Sequence, residues 1–126
     1  MSGVRDESLL LDDVLDAIQR LVELGSRQGP ALGMDRDRDE AILFNLVVMG
    51  EATKRLGATT RARFLDIPWA DMAETRDRVV HRYEGIDWQV IRAILDQDLP
   101  PLVPRVVAAR DLLRSEFDAR DAQRSP

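Results

Sequence analysis

The chain has 126 residues, 44% of them hydrophobic and 33% charged, which fits one soluble globular domain spanning 1–126 and excludes a disordered polyelectrolyte. It contains no cysteine, so disulfides, thiolate catalysis and cysteine-ligated zinc are ruled out. The net charge of −5 argues against unspecific binding to nucleic acid, because phosphates meet an average repulsion.

The first twenty residues, "MSGVRDESLLLDDVLDAIQR", have neither the basic n-region nor the long apolar h-region of a signal peptide. No apolar run approaches the length of a membrane span, so a cytoplasmic address with no membrane partner is expected. Val14, Ile18, Leu21 and Val22 follow amphipathic spacing and predict a helix from about Asp6 to Leu24. The stretch "GSRQGPALG" (25–33) breaks it. A second helix is predicted to begin after Asp37, where Glu40 stands at capping-box spacing. Its interior, "AILFNLVVMGEA" (41–52), is apolar nearly all round, which calls for cover from the core or a second subunit on more than one side. Asn45 within it reads as a hydrogen-bonded core polar group. Gly57 is placed to end the helix as its C′ residue.

"DIPWADM" (66–72) reads as the next helix start, with Pro68 in the first turn and a stop near Gly85. Asp87 offers an N-cap to "WQVIRAIL" (88–95). "DLPPLVP" (98–104) kinks or divides the chain, and "RVVAARDLLRSEF" (105–117) forms a last helix. Residues 1–6 and 119–126 are expected to fray. No segment alternates like a half-buried strand. The expected fold is all-α, an up-and-down helical bundle of four to five helices.

Most enzyme chemistries fail on residue inventory. One histidine builds no multi-imidazole zinc site within a chain, and HExxH, GxxxxGK[ST] and GxGxxG are all absent. Asp12–Asp13 and Asp96–Asp98 could bind a cation, but solvated helix faces explain them better. Only Lys54 among the 18 basic residues is lysine, which codon bias in a GC-rich genome explains without RNA.

"RDRVVHRY" (76–83) is the exception, holding the only histidine and the only tyrosine. On a continuous helix Arg76 and Tyr83 lie on nearly one face, while His81 is roughly 140° round from Arg76. One chain does not aim both groups at a common target, but two copies packed around a dyad can. A neutral imidazole there takes the proton from a ribose 2′-OH, which attacks the adjacent phosphate. Guanidinium groups bind that phosphate and stabilise the charge of the phosphorane. A lone histidine near a helix end is more often a capping or surface group, and a tyrosine there a core edge. The residues alone leave that structural role open.

Arg76, His81 and Tyr83 match the R-x4-H-x-Y pattern, and here the chain resembles HEPN-domain proteins, specifically the HepT-like toxins. "NLVVMGEATKRL" (45–56) is similar to that family's helix with a GEA core, and "IPWADMAETRDRVVHRYEGIDWQVI" (67–91) and "DLPPL" (98–102) look like its central and closing blocks. The resemblance covers roughly residues 7 to 115 by eye. It implies an HEPN-like homodimer whose two motifs meet at the interface and cleave RNA without metal or other cofactor. Arg76 would then bind the phosphate, His81 would act as base or acid, Asp77 would orient them, and Arg78 and Arg82 would contact RNA. The resemblance also implies a cognate minimal nucleotidyltransferase antitoxin that uses ATP to add AMP to Tyr83, blocking the cleft with a bulky anion. Arg82 stands where glycine is common and Glu84 where an aromatic is common, which points to altered RNA or antitoxin contacts. The acidic net charge is offset if a dimer gathers Arg76, Arg78 and Arg82 from both chains into one cleft. Two other readings share the fold. A non-catalytic scaffold or substrate-binding partner of a nucleotidyltransferase would bind it tightly and be harmless when expressed alone. A purely structural dimer would be indifferent to Tyr83→Phe.

Overall fold

The computed structural model describes residues 6–124, of which all the regular structure is helical. Six α-helices follow one another: α1 (Ser8–Ser26), α2 (Arg36–Arg55), α3 (Ala58–Arg63), α4 (Trp69–His81), α5 (Trp88–Ala93) and α6 (Leu102–Arg124). The fold is the expected all-α bundle, built on the long helices α1, α2, α4 and α6. No helix among the described residues is long and apolar enough to cross a membrane.

α1 lies at the centre because it is apolar on two sides. Leu11, Val14, Ile18 and Leu21 are completely buried, with Leu10, Leu15 and Leu24 nearly so, and the helix packs against both α2 and α6. Its start is fixed by Asp6, whose carboxylate accepts from the Ser8 backbone N–H (3.1 Å) and from its hydroxyl. Gly25 belongs to the helix, not to the break after it. A side chain there would press on Leu95, its Cβ only 3.0 Å from that of Leu95. The loop that follows does use glycine for its conformation, at Gly29 (φ 143°) and at Gly33 (φ 91°), which also lies against the Trp88 ring.

α2 starts earlier than its sequence suggests. Asp35 is the N-cap and accepts from Arg38 N–H (3.3 Å), while Asp39 reaches back to the Asp35 N–H (3.2 Å). This is the reciprocal logic of a capping box, run by Asp39. Glu40 instead pairs with Arg36 at 3.0 Å on the surface. The apolar interior is covered on two sides, by α1 and by α4, which leaves Phe44 in the open, 67% exposed. Asn45 is buried and donates to the Ala41 carbonyl at 2.8 Å, as a core polar group should.

Gly57 does not close α2 in the left-handed conformation expected of a C′ glycine, since its φ is −69°. It heads α3, an element that the sequence reading passed over because six residues are too few to show a period. Its N–H donates to both Glu7 carboxylate oxygens at 3.1 and 3.0 Å, and Thr60 Oγ1 donates to the same carboxylate. That contact sets the end of α2 beside the start of α1.

α4 is anchored by Trp69, buried, with its indole N–H donating to the Phe64 carbonyl (3.0 Å). The helix ends at His81, before the expected stop near Gly85. Residues 80–85 are all exposed, so no packing sustains another turn. Arg82 leaves helical geometry (φ −127°, ψ 33°), and Tyr83–Gly85 form a single 3-10 turn. Asp87 then caps α5 as predicted, accepting from Gln89 N–H (3.0 Å) and Val90 N–H (3.4 Å). The expected helix over 88–95 widens after Ala93 into a π turn, Ile94–Asp98. Arg92 Nη1 donates to the Gly25 carbonyl (2.7 Å), tying this turn to the end of α1.

α6 begins at Leu102, earlier than residue 105, because Pro104 falls in the first turn where no intrahelical acceptor awaits its nitrogen. It stays helical through 119–124, exposed, in the tract expected to fray. The other expected fraying segment, 1–6, lies outside the described residues except for Asp6. Directions follow from the cross-links. Glu7 to Gly57 runs α1 against α2, Phe44 beside Val80 with Gly50 against Met72 runs α2 against α4, and Arg110 and Arg114 to Asp12 run α6 against α1. The bundle is therefore up-and-down.

The tightest point is the crossing of α2 and α4. A Cβ placed on Gly50 would stand 2.1 Å from Arg76 Cβ and 3.1 Å from the Met72 carbonyl oxygen. Gly50→Ala is expected to destabilise by about 1–3 kcal/mol through overpacking, less about 1 kcal/mol from better helix propensity. Urea unfolding measures it, with Gly85→Ala as the control, since nothing lies within 4 Å of a Cβ there.

Candidate active site

α2 and α4 approach closely enough at Gly50 for side chains of one helix to reach those of the other. The Arg76 stem lies over Gly50, and its guanidinium, a quarter exposed, is held from both helices. Nε makes an ion-pair contact of 2.5 Å with Glu51 Oε1 from α2, too bent to count as a hydrogen bond and leaving that buried nitrogen otherwise unpartnered. Nη1 donates to Asp77 Oδ1 at 3.0 Å, and Nη2 has no protein partner among the described residues. The same Asp77 oxygen accepts from Lys54 Nζ at 2.7 Å. Glu51, Arg76, Asp77 and Lys54 thus form a four-charge chain of zero net charge across the two helices. Lys54, and then Arg76, hold the Asp77 carboxyl below its ordinary range by stabilising the ionised form.

The other motif residues face elsewhere. His81 ends α4 with its ring exposed and takes no hydrogen bond from a described residue, and Arg82 likewise has no side-chain partner. Arg78 is committed to Glu74 one turn back, at 2.7 Å. Asp77, Arg78, His81 and Arg82 line an open groove of 580 Å³ between α4 and α5. Arg76 does not line it. Within one protomer, then, Arg76 and His81 do not share a cleft, as the helical spacing anticipated. Asp77 is the link, touching Arg76 on one side and facing the His81 groove on the other.

Tyr83 departs from the expected arrangement. A continuous helix would put it on the face of Arg76, but α4 ends at His81 and the 3-10 turn carries the ring away. It is 56% exposed and lines an apolar trough with Leu43, Phe44, Val47, Val79 and Val80. It meets His81 and Arg82 only at the chain's turn, where all three border a shallow hollow of 450 Å³.

Glu51, Lys54 and Gly50 were not singled out from sequence. One signal was present: the single lysine of an arginine-rich chain stands three residues after a glutamate on one helix face. Of the acidic pairs considered as cation ligands, Asp12 is paired to Arg110 and Arg114 and Asp96 to Arg92, while Asp13 and Asp98 are exposed. No cluster of three or more metal-ligating side chains occurs among the described residues.

Asp77 titration tests the network. Its folded carboxyl is depressed, so its contribution to stability is present above the unfolded value of about 3.9 and is lost as pH falls through the lower folded value. In Lys54→Met the carboxyl loses its first stabiliser, and its midpoint, followed by carboxyl carbon NMR, is expected to rise toward the ordinary value. An unchanged midpoint would show that the Lys54 contact is not formed in solution.

Comparison with known proteins places the chain in a family. A family model described as "Ribonuclease HepT-like" matches residues 12–109. A protein of Thermococcus cleftensis named "Probable ribonuclease HepT" is 31% identical over 94 residues, covering 73% of this chain and 84% of that one. Two proteins of Methanocaldococcus jannaschii are also similar. "Putative RNase MJ0127" is 27% identical over 76% of this chain and 80% of its own length. "Putative RNase MJ1380" is 26% identical over 81% of this chain and 94% of its own. No solved structure gives a significant match. With residues 12–109 matched by the family model and one relative 31% identical over most of both chains, the chain belongs to the HepT-like ribonuclease family.

Proposed function

We propose that this protein is a metal-independent RNA endonuclease that works as a homodimer in the cytoplasm, as the toxin of a toxin–antitoxin pair. The observation that carries the reading is the division of labour along α4: a guanidinium fixed from two helices, and an imidazole left free at the helix end.

Arg76 and His81 of one protomer point apart, so the reading requires the partner copy to complete the cleft. Phe44, Val80 and Tyr83 support this, forming an exposed apolar face on α2 and α4 beside the motif, which a second copy of the same face would cover. In the dimer, His81 takes the proton from a ribose 2′-OH, and the 2′-oxygen attacks the adjacent phosphorus. A 2′,3′-cyclic phosphate forms, the bond to the 5′-oxygen breaks, and that oxygen takes up a proton. Arg76 offers Nη2 to the phosphorane oxygens while Glu51 at Nε and Asp77 at Nη1 hold the group, so it arrives oriented. Arg78 and Arg82 contact the RNA strand on either side. The chain itself needs no cofactor for these steps.

Neutralisation fits Tyr83. Its ring is exposed on a turn, accessible to a cognate minimal nucleotidyltransferase antitoxin that transfers AMP from ATP. The phenolic oxygen attacks the α-phosphorus, pyrophosphate leaves, and the hydroxyl proton passes to solvent. An added nucleotide at the hollow shared by Tyr83, His81 and Arg82 obstructs and repels RNA.

Purified protein is expected to cleave RNA in EDTA. His81→Ala and Arg76→Ala should each lower the rate by about 10²–10⁴-fold with circular dichroism unchanged. Parent-like cutting by either variant, or cutting only with added metal, refutes the mechanism. Incubation with ATP and the nucleotidyltransferase should raise the intact mass by whole AMP units in the parent and not in Tyr83→Phe.

A further inference from the structure

The groove between α4 and α5 has more in it than the cleavage step uses. Its floor is aliphatic: Val79 and Ile91 are buried, Ile86 and Ile94 are half-buried, and Val90 stands 44% exposed with no core role. Its three carboxylates are already engaged. Glu74 is paired with Arg78, Asp77 with Lys54 and Arg76, and Asp87 accepts two backbone N–H groups at the start of α5. The groups left uncommitted at the rim are Arg82 and His81, both donors when charged. An apolar shelf under uncommitted donors is the pattern of a site for a flat apolar ring that carries an anion.

We infer that this groove is a subsite for one unpaired nucleotide of the RNA, with the base lying on Ile86, Val90 and Ile94 and an adjacent phosphate on Arg82. The inference rests on the ribonuclease reading and deepens it. The volume of 580 Å³ falls within the range of about 300–1,000 Å³ typical of small-ligand sites, which suits a single nucleotide and is too small for a duplex. The side chains of the shelf carry no hydrogen-bonding group, so it holds any base by contact and reads strandedness instead of sequence. His81 at the rim then places the ribose next to the bound base within reach of its imidazole.

The probe is a fluorescein-labelled single-stranded 2′-O-methyl RNA, which cannot be cut through its 2′-oxygen, followed by anisotropy on the full chain. Val90→Glu puts a carboxylate on the shelf and should weaken binding about tenfold or more, because the charge displaces the base and repels its phosphate. Val90→Leu should bind like the parent, and Arg82→Gln should weaken binding and flatten its salt dependence. A duplex of the same sequence should bind much more weakly. Parent-like affinity in Val90→Glu, with helix content and molar mass by light scattering unchanged, overturns the subsite while leaving RNA cleavage by the parent intact. Loss of dimers in Val90→Glu also overturns it, because the groove is then a contact between copies. A parent that neither binds the probe nor cuts RNA sinks the subsite together with the ribonuclease reading.

Discussion

Everything at the site depends on how closely α2 and α4 cross. Gly50 has no Cβ, and the Arg76 stem occupies the space one would fill. That approach lets Glu51 and Lys54, on the next turn of α2, reach across to Arg76 and Asp77 on α4. A wider crossing, of the kind any larger residue at 50 would impose, moves the two helices apart and parts Glu51 from Arg76 and Lys54 from Asp77. Packing and electrostatics are therefore one constraint here, set by the absence of a single carbon atom.

The result is an arginine whose charge is already compensated. Held by two carboxylates and three-quarters covered, Arg76 is not a free cation waiting for an anion. Breaking such pairs costs more than forming them gains, so the guanidinium keeps its place and its orientation. Only its Nη2 is left without a protein partner among the described residues. Arg82 and His81 are the opposite case, exposed at the helix end and without a side-chain partner among the described residues. The motif thus joins a compensated cation, fixed from two helices, to exposed and uncommitted groups within a single stretch of chain.

Much of this was legible in the sequence. Amphipathic spacing gave α1, the Asp87 cap gave the start of α5, and the geometry of α4 already implied that Arg76 and His81 diverge within one chain. Failures cluster where a local signal met a tertiary contact. Gly57 looked like a helix stop, but its N–H serves Glu7 from the far end of the molecule. Glu40 had the spacing of a capping residue, but Asp39 took the role and Glu40 turned to Arg36. The end of α4 was misplaced because the helix stops where packing runs out, not where glycine occurs, and this carried Tyr83 away from Arg76. Glu51 and Lys54 were invisible as site residues, since charges on a helix face ordinarily signal only solvent. Their role exists only once another helix is laid across them.

The single lysine has a consequence beyond its ion pair. Lys54 carries the only side-chain amine in the chain, and that amine sits 2.7 Å from the carboxylate that steadies the motif arginine. Chemistry directed at lysine, whether an acylating enzyme or a bench reagent, therefore has one side-chain target in this protein, beside Arg76. An acyl group there removes the charge that first stabilises ionised Asp77. The arginine-rich composition, read at first as genomic bias, leaves the molecule with a built-in, uniquely addressable handle on its own centre.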